Sequence, residues 1–461
     1  VSSVAFKIGL LGLGTVGTGT AQILLDPSGR NPLLEELEIY RIGVRNPEKT
    51  RPVQLPPGAV TSDLESIVTD PDVDIVVEVI GGLEPARSLI LKAIAHGKHV
   101  VTANKAVIAR YSDEIFDAAN DAGVYVLLEA AVGGGIPVIQ PLKQALGVNR
   151  IRSVTGIVNG TTNYILTRMQ TEGADFADVL AQAQKLGYAE ADPTADVDGF
   201  DAADKIAILA SLAFGGRIKL EDVYREGISQ VSAADIAYAD KLGFAIKLLA
   251  IANREMLADD PTDRLRLRVH PTLVPQTHPL ASINGVYNAI LVEGDPIGQV
   301  MFFGPGAGAG PTASAVVSDI LNIAAVLKSV GGQVSREAEE NSPSPITKPI
   351  TNYQLPITHL HPLLTCTHQH YCKIAPIEEL TTRFYARFLT KDRPGVIGKL
   401  GTSFGNHGVS IESIVQTGFQ GELAEIVVVT HDVREGDFHQ ALDEIRTLDA
   451  VDSIPSLLRV L

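Results

Sequence analysis

Phe6-Lys7-Ile8-Gly9-Leu10-Leu11 runs directly into Gly12-Leu13-Gly14-Thr15-Val16-Gly17, and from there into the apolar-periodic segment Val16–Leu25. A short apolar run, a G-x-G-x-x-G turn and a helical pattern, in that order, predict a strand that bends sharply into a helix. The first glycine permits the turn and the second lets backbone approach a pyrophosphate. The third lets helix and strand pack closely, with the helix N-terminus facing the phosphates. Gly12, Gly14, Thr15, Val16 and Gly17 are therefore candidate cofactor contacts. A purely structural glycine turn is the competing reading.

Working outward, Ile39–Val44, Ile75–Val79, His99–Val101 and Val124–Leu128 read as further buried strands. Pro85–His96 and Ser112–Ala122 read as helices between them. Strands that are apolar throughout, alternating with helices, predict a parallel sheet covered on both faces. The second strand ends Gly43-Val44-Arg45-Asn46, with Lys49 and Arg51 close behind. A site for NAD places Asp or Glu at this tip, whereas an arginine pairs with the 2′-phosphate of NADP. Arg45 thus predicts NADP, with NAD left open and a solvated basic loop as the bland alternative.

Beyond Gly133 the pattern changes. Helical stretches at Asp175–Leu186, Phe200–Ala213 and Ala233–Ala245 mix with strands at Arg264–His270 and Asn288–Glu293, predicting an α+β domain. Gly304–Gly310 then opens a helix at Pro311–Leu327. Residues 331–380, rich in Pro and Ser/Thr and holding His359, His361, Cys366, His368, His370 and Cys372, read as an exposed polar linker. Their spacing fits no usual zinc pattern. The last eighty or so residues give βαββαβ: Arg383–Leu389, Val396–Asn406, Val409–Gln416, Ala424–Thr430, Phe438–Thr447 and Val451–Val460.

The bulk composition narrows the classes. The chain has 461 residues, 45% of them hydrophobic, and a formal net charge of −16. Several domains are expected at this length. An acidic chain repels phosphate backbones, so no nucleic-acid partner is expected. No apolar run reads as a bilayer span; Val124–Ile139 comes nearest, interrupted by Glu129 and glycines. No secretory leader is seen, and two cysteines suit a reducing cytoplasm.

The densest chemistry lies in Gly187-Tyr188-Ala189-Glu190-Ala191-Asp192-Pro193 and on through Asp196 to Asp201 and Lys205. Asp201 and Lys205 stand four apart on a predicted helix and share a face. Reducing an aldehyde by hydride leaves an alkoxide that needs a proton. No histidine occurs between His99 and His270, so a lysine is the donor this region can offer. Lys205 is one candidate. Lys105, at the carboxyl end of a predicted strand, where open α/β sheets bind ligands, is the other. An acidic helix-start loop is the bland alternative.

These residues, with Thr102–Lys105, Glu129–Pro137 and Asn159–Tyr164, closely resemble the homoserine dehydrogenase family over roughly residues 5–330. The resemblance implies interconversion of L-homoserine and L-aspartate 4-semialdehyde with NAD(P). It implies Lys205 as proton donor, Lys105 as a second lysine near the nicotinamide, and Glu190 and Asp201 as substrate-binding carboxylates. Gly187 and Gly308 become cofactor-contacting positions. Backbone carbonyls of Glu129, Val132, Gly134 and Ile136 become the ligands of a sodium ion. Ala191 stands where many members have proline. The C-terminal segment resembles an ACT domain, ferredoxin-like in topology, with Asp392, Gly395 and Asn406 as candidate contacts for an amino-acid effector, for which threonine is the expectation.

The expected organisation is a Rossmann-type domain over 1–133, completed by a helix over 311–330, and a substrate-binding and dimerisation domain over 134–310. A linker over 331–380 and an ACT domain over 381–461 follow. The chain is expected to be a cytoplasmic homodimer or homotetramer. A related amino-acid dehydrogenase, and a non-catalytic sensor that merely binds NADP, are the readings kept beside it.

Overall fold

The computed structural model describes residues 6–257, 260–341 and 360–461. They fall into two compact units. One comprises the chain up to Arg150, Ala207–Leu220 and Phe302–Tyr371; the other comprises Ile151–Ile206, Glu221–Met301 and Cys372–Leu461.

The first unit holds a six-stranded sheet. In spatial order its strands are Val60–Thr61, Leu37–Gly43, Phe6–Leu11, Ile75–Glu78, His99–Thr102 and Val126–Leu127. Every pairing is parallel. In chain order this is 3-2-1-4-5-6, so the sheet reverses between Phe6–Leu11 and Ile75–Glu78, at the carboxyl ends where a dinucleotide binds. Five of the six strands were expected from sequence, and Phe6–Leu11 matches residue for residue; the two-residue edge strand Val60–Thr61, too short to show a pattern, was not. Ile8, Leu10, Ile75, Val77 and Val101 form the core together with Val316, Ile320 and Ile323. Those last three lie on the helix Ala309–Asn341.

That helix corrects two expectations. Its stretch Ala309–Ser329 is long and apolar enough to pass for a membrane span, which the sequence reading overlooked. The structure places it instead in the core of the first unit, where its apolar face meets the sheet. A β-carbon at Gly19 would sit 2.6 Å from the Ala309 carbonyl, so the helix Thr15–Leu25 packs close against it. The helix also continues to Asn341, eleven residues into the expected linker over 331–380.

The histidine-rich stretch departs from expectation too. His359 lies outside the described residues. From Leu360 onward the segment packs rather than trailing through solvent, with Leu360 and Leu364 buried in the first unit's core. Lys143 Nζ donates to the Leu364 carbonyl at 2.8 Å, Asn120 to Cys366 at 2.9 Å and Arg217 Nε to His368 at 2.7 Å. The anchoring acceptors are main-chain carbonyls, which composition does not show. No cluster of three metal-binding side chains occurs among the described residues.

The second unit is built on one long sheet. Its strands run Gly298–Pro305, Tyr287–Asp295, Arg150–Ile157, Phe244–Leu257, Asp260–Pro275, Val451–Val460, Thr381–Lys391, Leu423–Thr430 and Ile411–Gln420. The last four belong to the C-terminal βαββαβ element, whose helices Val396–Asn406 and Glu435–Arg446 cover Phe384, Phe388, Ile426 and Val428. The expected helix Ala233–Ala245 stops at Lys241. Phe244 instead begins a fourteen-residue strand, because an apolar run flanked by partners on both edges reads equally as helix or strand.

The C-terminal element does not hang from a linker. Thr272 and Leu273 pair in parallel with Arg459 and Val460, fusing the two halves of the sheet. Buried Arg387 bonds Asp235 at 2.8 Å and Glu425 at 2.9 Å. Arg459 bonds Glu226 at 3.0 Å and also pairs with Glu435.

Candidate active site

In the first unit the three fingerprint glycines have separate reasons to lack a side chain. Gly12 has φ of +102° and a β-carbon there would meet the Val79 carbonyl at 2.8 Å. A β-carbon at Gly17 would lie 2.1 Å from the Gly12 carbonyl, which fixes how closely the helix abuts the strand. At Gly14 nothing stands within 4 Å. This open side, above the exposed start of the helix at Thr15, is where a pyrophosphate can approach backbone N–H groups. The residues present therefore fit a dinucleotide.

Arg45 is exposed just beyond the second strand. Arg51, equally basic in sequence, is occupied: its guanidinium donates to the carbonyls of Asn46, Pro47 and Lys49 at 2.6, 3.2 and 2.6 Å. It staples the loop that carries Arg45.

Glu78, which the sequence reading left without a role, organises the sheet's reversal point. Its buried carboxylate accepts from Thr102 Oγ1 at 2.7 Å and from the N–H groups of Ile80 and Gly81 at 2.9 and 3.3 Å. Thr102 in turn accepts from Asn104 N at 3.0 Å, and Asn104 caps the next helix through Val107 N. Lys105 is the first residue of that helix, Lys105–Ala122. A strand-end carboxylate followed by Thr-x-Asn was the available signal.

The Glu129–Pro137 loop is buried through Gly134. The Glu129 carboxylate accepts from the N–H groups of Val138, Ile139 and Gln140 at 2.6, 2.8 and 2.8 Å. Burial raises its pKa, opposed by those bonds. Glu129 N donates to Asp319 at 2.7 Å, whose carboxyl burial and the Glu129 charge push up to about 8. Glu129 thus clamps the loop by its side chain. Glu129, Val132, Gly134 and Ile136 are all buried, and main-chain carbonyls are the kind of oxygen donor that suits a hard cation.

In the second unit the helix Phe200–Phe214 sets Asp201 and Lys205 one turn apart. Lys205 Nζ donates to Asp201 Oδ2 at 2.8 Å and to the Val158 carbonyl at 2.6 Å. Both side chains are nearly buried, 11% and 9% exposed. Asn159 completes the constellation. Its Nδ2 bridges Asp201 at 2.8 Å and Asp196 at 2.7 Å, while its Oδ1 caps the helix Gly160–Glu172 through Thr162 N at 2.8 Å. Burial holds the Asp196 carboxyl above its usual range, opposed by the Asn159 bond and reinforced by Asp201.

Glu190 is exposed on a loop held in place around it. Gln184 Nε2 donates to the carbonyls of Glu190 and Ala191 at 3.0 and 3.3 Å, and Thr161 Oγ1 to that of Tyr188 at 2.7 Å. Gly187 turns into this loop, and Gly308 immediately precedes the helix Ala309–Asn341 of the first unit. Asn159 and Asp196 were in view in the sequence, but only folding brings them against Asp201 and Lys205.

The effector candidates separate. Asp392 and Gly395 lie at the start of the helix Val396–Asn406 and Asn406 at its end. Eleven residues of helix put them about 16 Å apart. Asn406 donates to Glu444 at 3.1 Å. Asp392 and Gly395 thus stand at one end of this helix and Asn406 at the other.

A parallel sheet in this order, with an open glycine turn, together with a buried lysine–carboxylate pair, defines a nicotinamide-nucleotide-dependent oxidoreductase. The comparisons sharpen the class. A homoserine dehydrogenase profile matches residues 137–321, a homoserine dehydrogenase NAD-binding profile matches 12–129 and an ACT-domain profile matches 384–450. A homoserine dehydrogenase of Synechocystis is 66% identical over 99% of both chains. The crystal structure of one from Thiobacillus denitrificans superposes with a TM-score of 0.82 at 40% identity, covering 99% of this chain and 98% of that one. A hyperthermophilic archaeal homoserine dehydrogenase, solved in complex with NADPH, matches 69% of this chain and 97% of its own, with a TM-score of 0.58 at 27% identity. The chain belongs to the homoserine dehydrogenase family, oxidoreductases that act on a CH–OH group, and carries a C-terminal ACT domain.

Proposed function

We propose that the chain reduces L-aspartate 4-semialdehyde to L-homoserine, reversibly, with NADPH preferred, as a step toward threonine, methionine and isoleucine. The observation that carries the reading is the Lys205–Asp201–Asn159–Asp196 constellation. When bound, the nicotinamide supplies the hydride. Lys205 supplies the proton: two of its three N–H bonds are fixed by Val158 and Asp201, leaving the third to donate to the developing alkoxide. Asn159 holds Asp201, so the ammonium is aimed before substrate arrives. Glu190 and Asp201 receive the substrate, Glu190 accepting from its ammonium in a charge-assisted bond. Lys105 is a second active-site lysine at the nicotinamide end. Gly12, Gly14, Thr15, Val16, Gly17, Gly187 and Gly308 hold the dinucleotide, and Arg45 its 2′-phosphate. Carbonyls of Glu129, Val132, Gly134 and Ile136 hold sodium.

In the same reading the ACT domain binds threonine as a feedback inhibitor through Asp392, Gly395 and Asn406. Because these stand at opposite ends of one helix, two copies combine them, in a cytoplasmic homodimer or homotetramer. The test of function is NADPH absorbance with purified protein and aspartate semialdehyde, beside NADH. Turnover faster with NADPH is expected; none with either cofactor contradicts the reading. Titration with threonine of the full chain and of Asn406→Ala, expected to be less sensitive at unchanged uninhibited turnover, tests the regulatory part.

A further inference from the structure

Asn159 joins the carboxylates of Asp196 and Asp201. Between them runs the turn Val197-Asp198-Gly199-Phe200, which Asn159 does not hold. Gly199 takes φ of +79° and has no side chain with which to cap the helix Phe200–Phe214 that follows it. The turn is gripped instead by the short strand Tyr224–Arg225 and the residues just after it. Arg225 Nη1 donates to the Asp198 carbonyl at 2.8 Å, and its guanidinium carbon lies 3.3 Å from the centre of the Phe200 ring. Ile228 N donates to the Val197 carbonyl at 2.8 Å. The fit is close: a β-carbon at Gly199 would meet Arg225 Cγ at 3.3 Å, and one at Gly227 would meet the Val197 carbonyl at 2.4 Å.

Phe200 is 40% exposed, and a cation over an exposed ring contributes little by itself. What makes this contact a fixed point is the strand that carries it. Tyr224 and Arg225 pair in parallel with Arg268 and Val269, and Glu226 N donates to the Val269 carbonyl at 2.7 Å. Successive side chains of a strand point to opposite faces, and the neighbours of Arg225 have a different partner. Arg459, buried on the last ACT strand Val451–Val460, donates to Tyr224 Oη and to Glu226, each at 3.0 Å. Arg225 is therefore anchored by main-chain pairing and on both sides in sequence.

We propose that Arg225 is a positioning residue for aldehyde reduction. By seating Phe200 and the Asp198 carbonyl it fixes the turn between Asp196 and Asp201, and with it the carboxylate that receives Lys205. The proposal deepens the reading of Lys205 as proton donor and rests on it. A displaced Asp201 redirects the ammonium, so the loss falls on the step that needs an aimed proton and not on dinucleotide binding.

Steady-state kinetics with NADPH and aspartate semialdehyde test this, with melting temperature and NADPH titration alongside. Arg225→Gln is expected to lose at least about tenfold in kcat, while KM for NADPH and NADPH affinity stay near native. Phe200→Leu is expected to lose more of kcat than Phe200→Tyr, which keeps a ring for the guanidinium. If Arg225→Gln does not fold, this exposed pair of variants carries the test. A native kcat in Arg225→Gln, equal activity in Phe200→Leu and Phe200→Tyr, or a loss shared in proportion by kcat and NADPH affinity overturns the proposal alone. Native protein that does not turn over aspartate semialdehyde overturns the functional reading and this proposal with it.

Discussion

Asn159 shows how much a single amide can do. One side chain joins two carboxylates and caps a helix, so the geometry around Lys205 depends on a residue with no acid–base chemistry of its own. Its importance was hidden in the sequence because Asn followed by Gly and Thr is ordinary helix-start chemistry; it stands 37 residues before Asp196 and 42 before Asp201. Arg45 and Arg51 are the converse, alike in sequence yet placed differently, Arg51 closing its own loop while Arg45 stands exposed and, in the proposed reading, meets the 2′-phosphate. Arg45→Ala is therefore expected to raise KM for NADPH about tenfold or more while leaving KM for NADH nearly unchanged, since only the 2′-phosphate contact is lost. Steady-state kinetics with both cofactors check this; equal effects on the two remove Arg45 from cofactor selection.

At the scale of elements, the strand His99–Thr102 carries a titratable group into the core. His99 is fully buried, accepts from Tyr125 N through Nδ1 at 3.0 Å and stacks on the Tyr125 ring. Burial, with Lys98 beside it, pushes its pKa down to about 4. The native state therefore keeps His99 neutral while the unfolded chain takes up a proton near its ordinary value. Stability present above about pH 6.5 is lost progressively as pH falls toward about 4, by up to roughly 3 kcal/mol. His99→Asn, which retains an acceptor, is expected to flatten the decline in Tm between pH 6.5 and 4.5; an unchanged slope excludes His99 as its source. The elements most legible in sequence were those whose ends carry chemical punctuation. Phe6–Leu11 meets its glycine turn, Val396–Asn406 lies between Pro-Gly and a glycine loop, and both appear as expected. Phe244–Leu257 follows Gly243, at φ of +81°, a mark that the expected helix Ala233–Ala245 ran past. The segment after Leu360 is fixed by main-chain acceptors and needed tertiary partners to be read.

At the scale of the molecule, the ACT domain shares a sheet with the catalytic half of its unit. The pairing of Thr272 and Leu273 with the C-terminal strand, and the buried Arg387–Asp235 bond, are lost together if the chain is cut before Arg383. Removing one partner of a buried pair typically costs about 3–5 kcal/mol. The truncated protein is expected to show a markedly lower Tm or to aggregate; a truncation as stable as the full chain would show the fused sheet to be dispensable. The ACT domain is thus part of a continuous sheet rather than an appended module. In the proposed reaction Lys205 protonates the alkoxide that hydride transfer leaves, and single-turnover NADPH oxidation with aspartate semialdehyde tests this most directly. Lys205→Ala is expected to bind NADPH with near-native affinity and to lose ~10²–10⁴-fold in rate. A variant that oxidises NADPH at the native rate contradicts the account and shifts the role to Lys105.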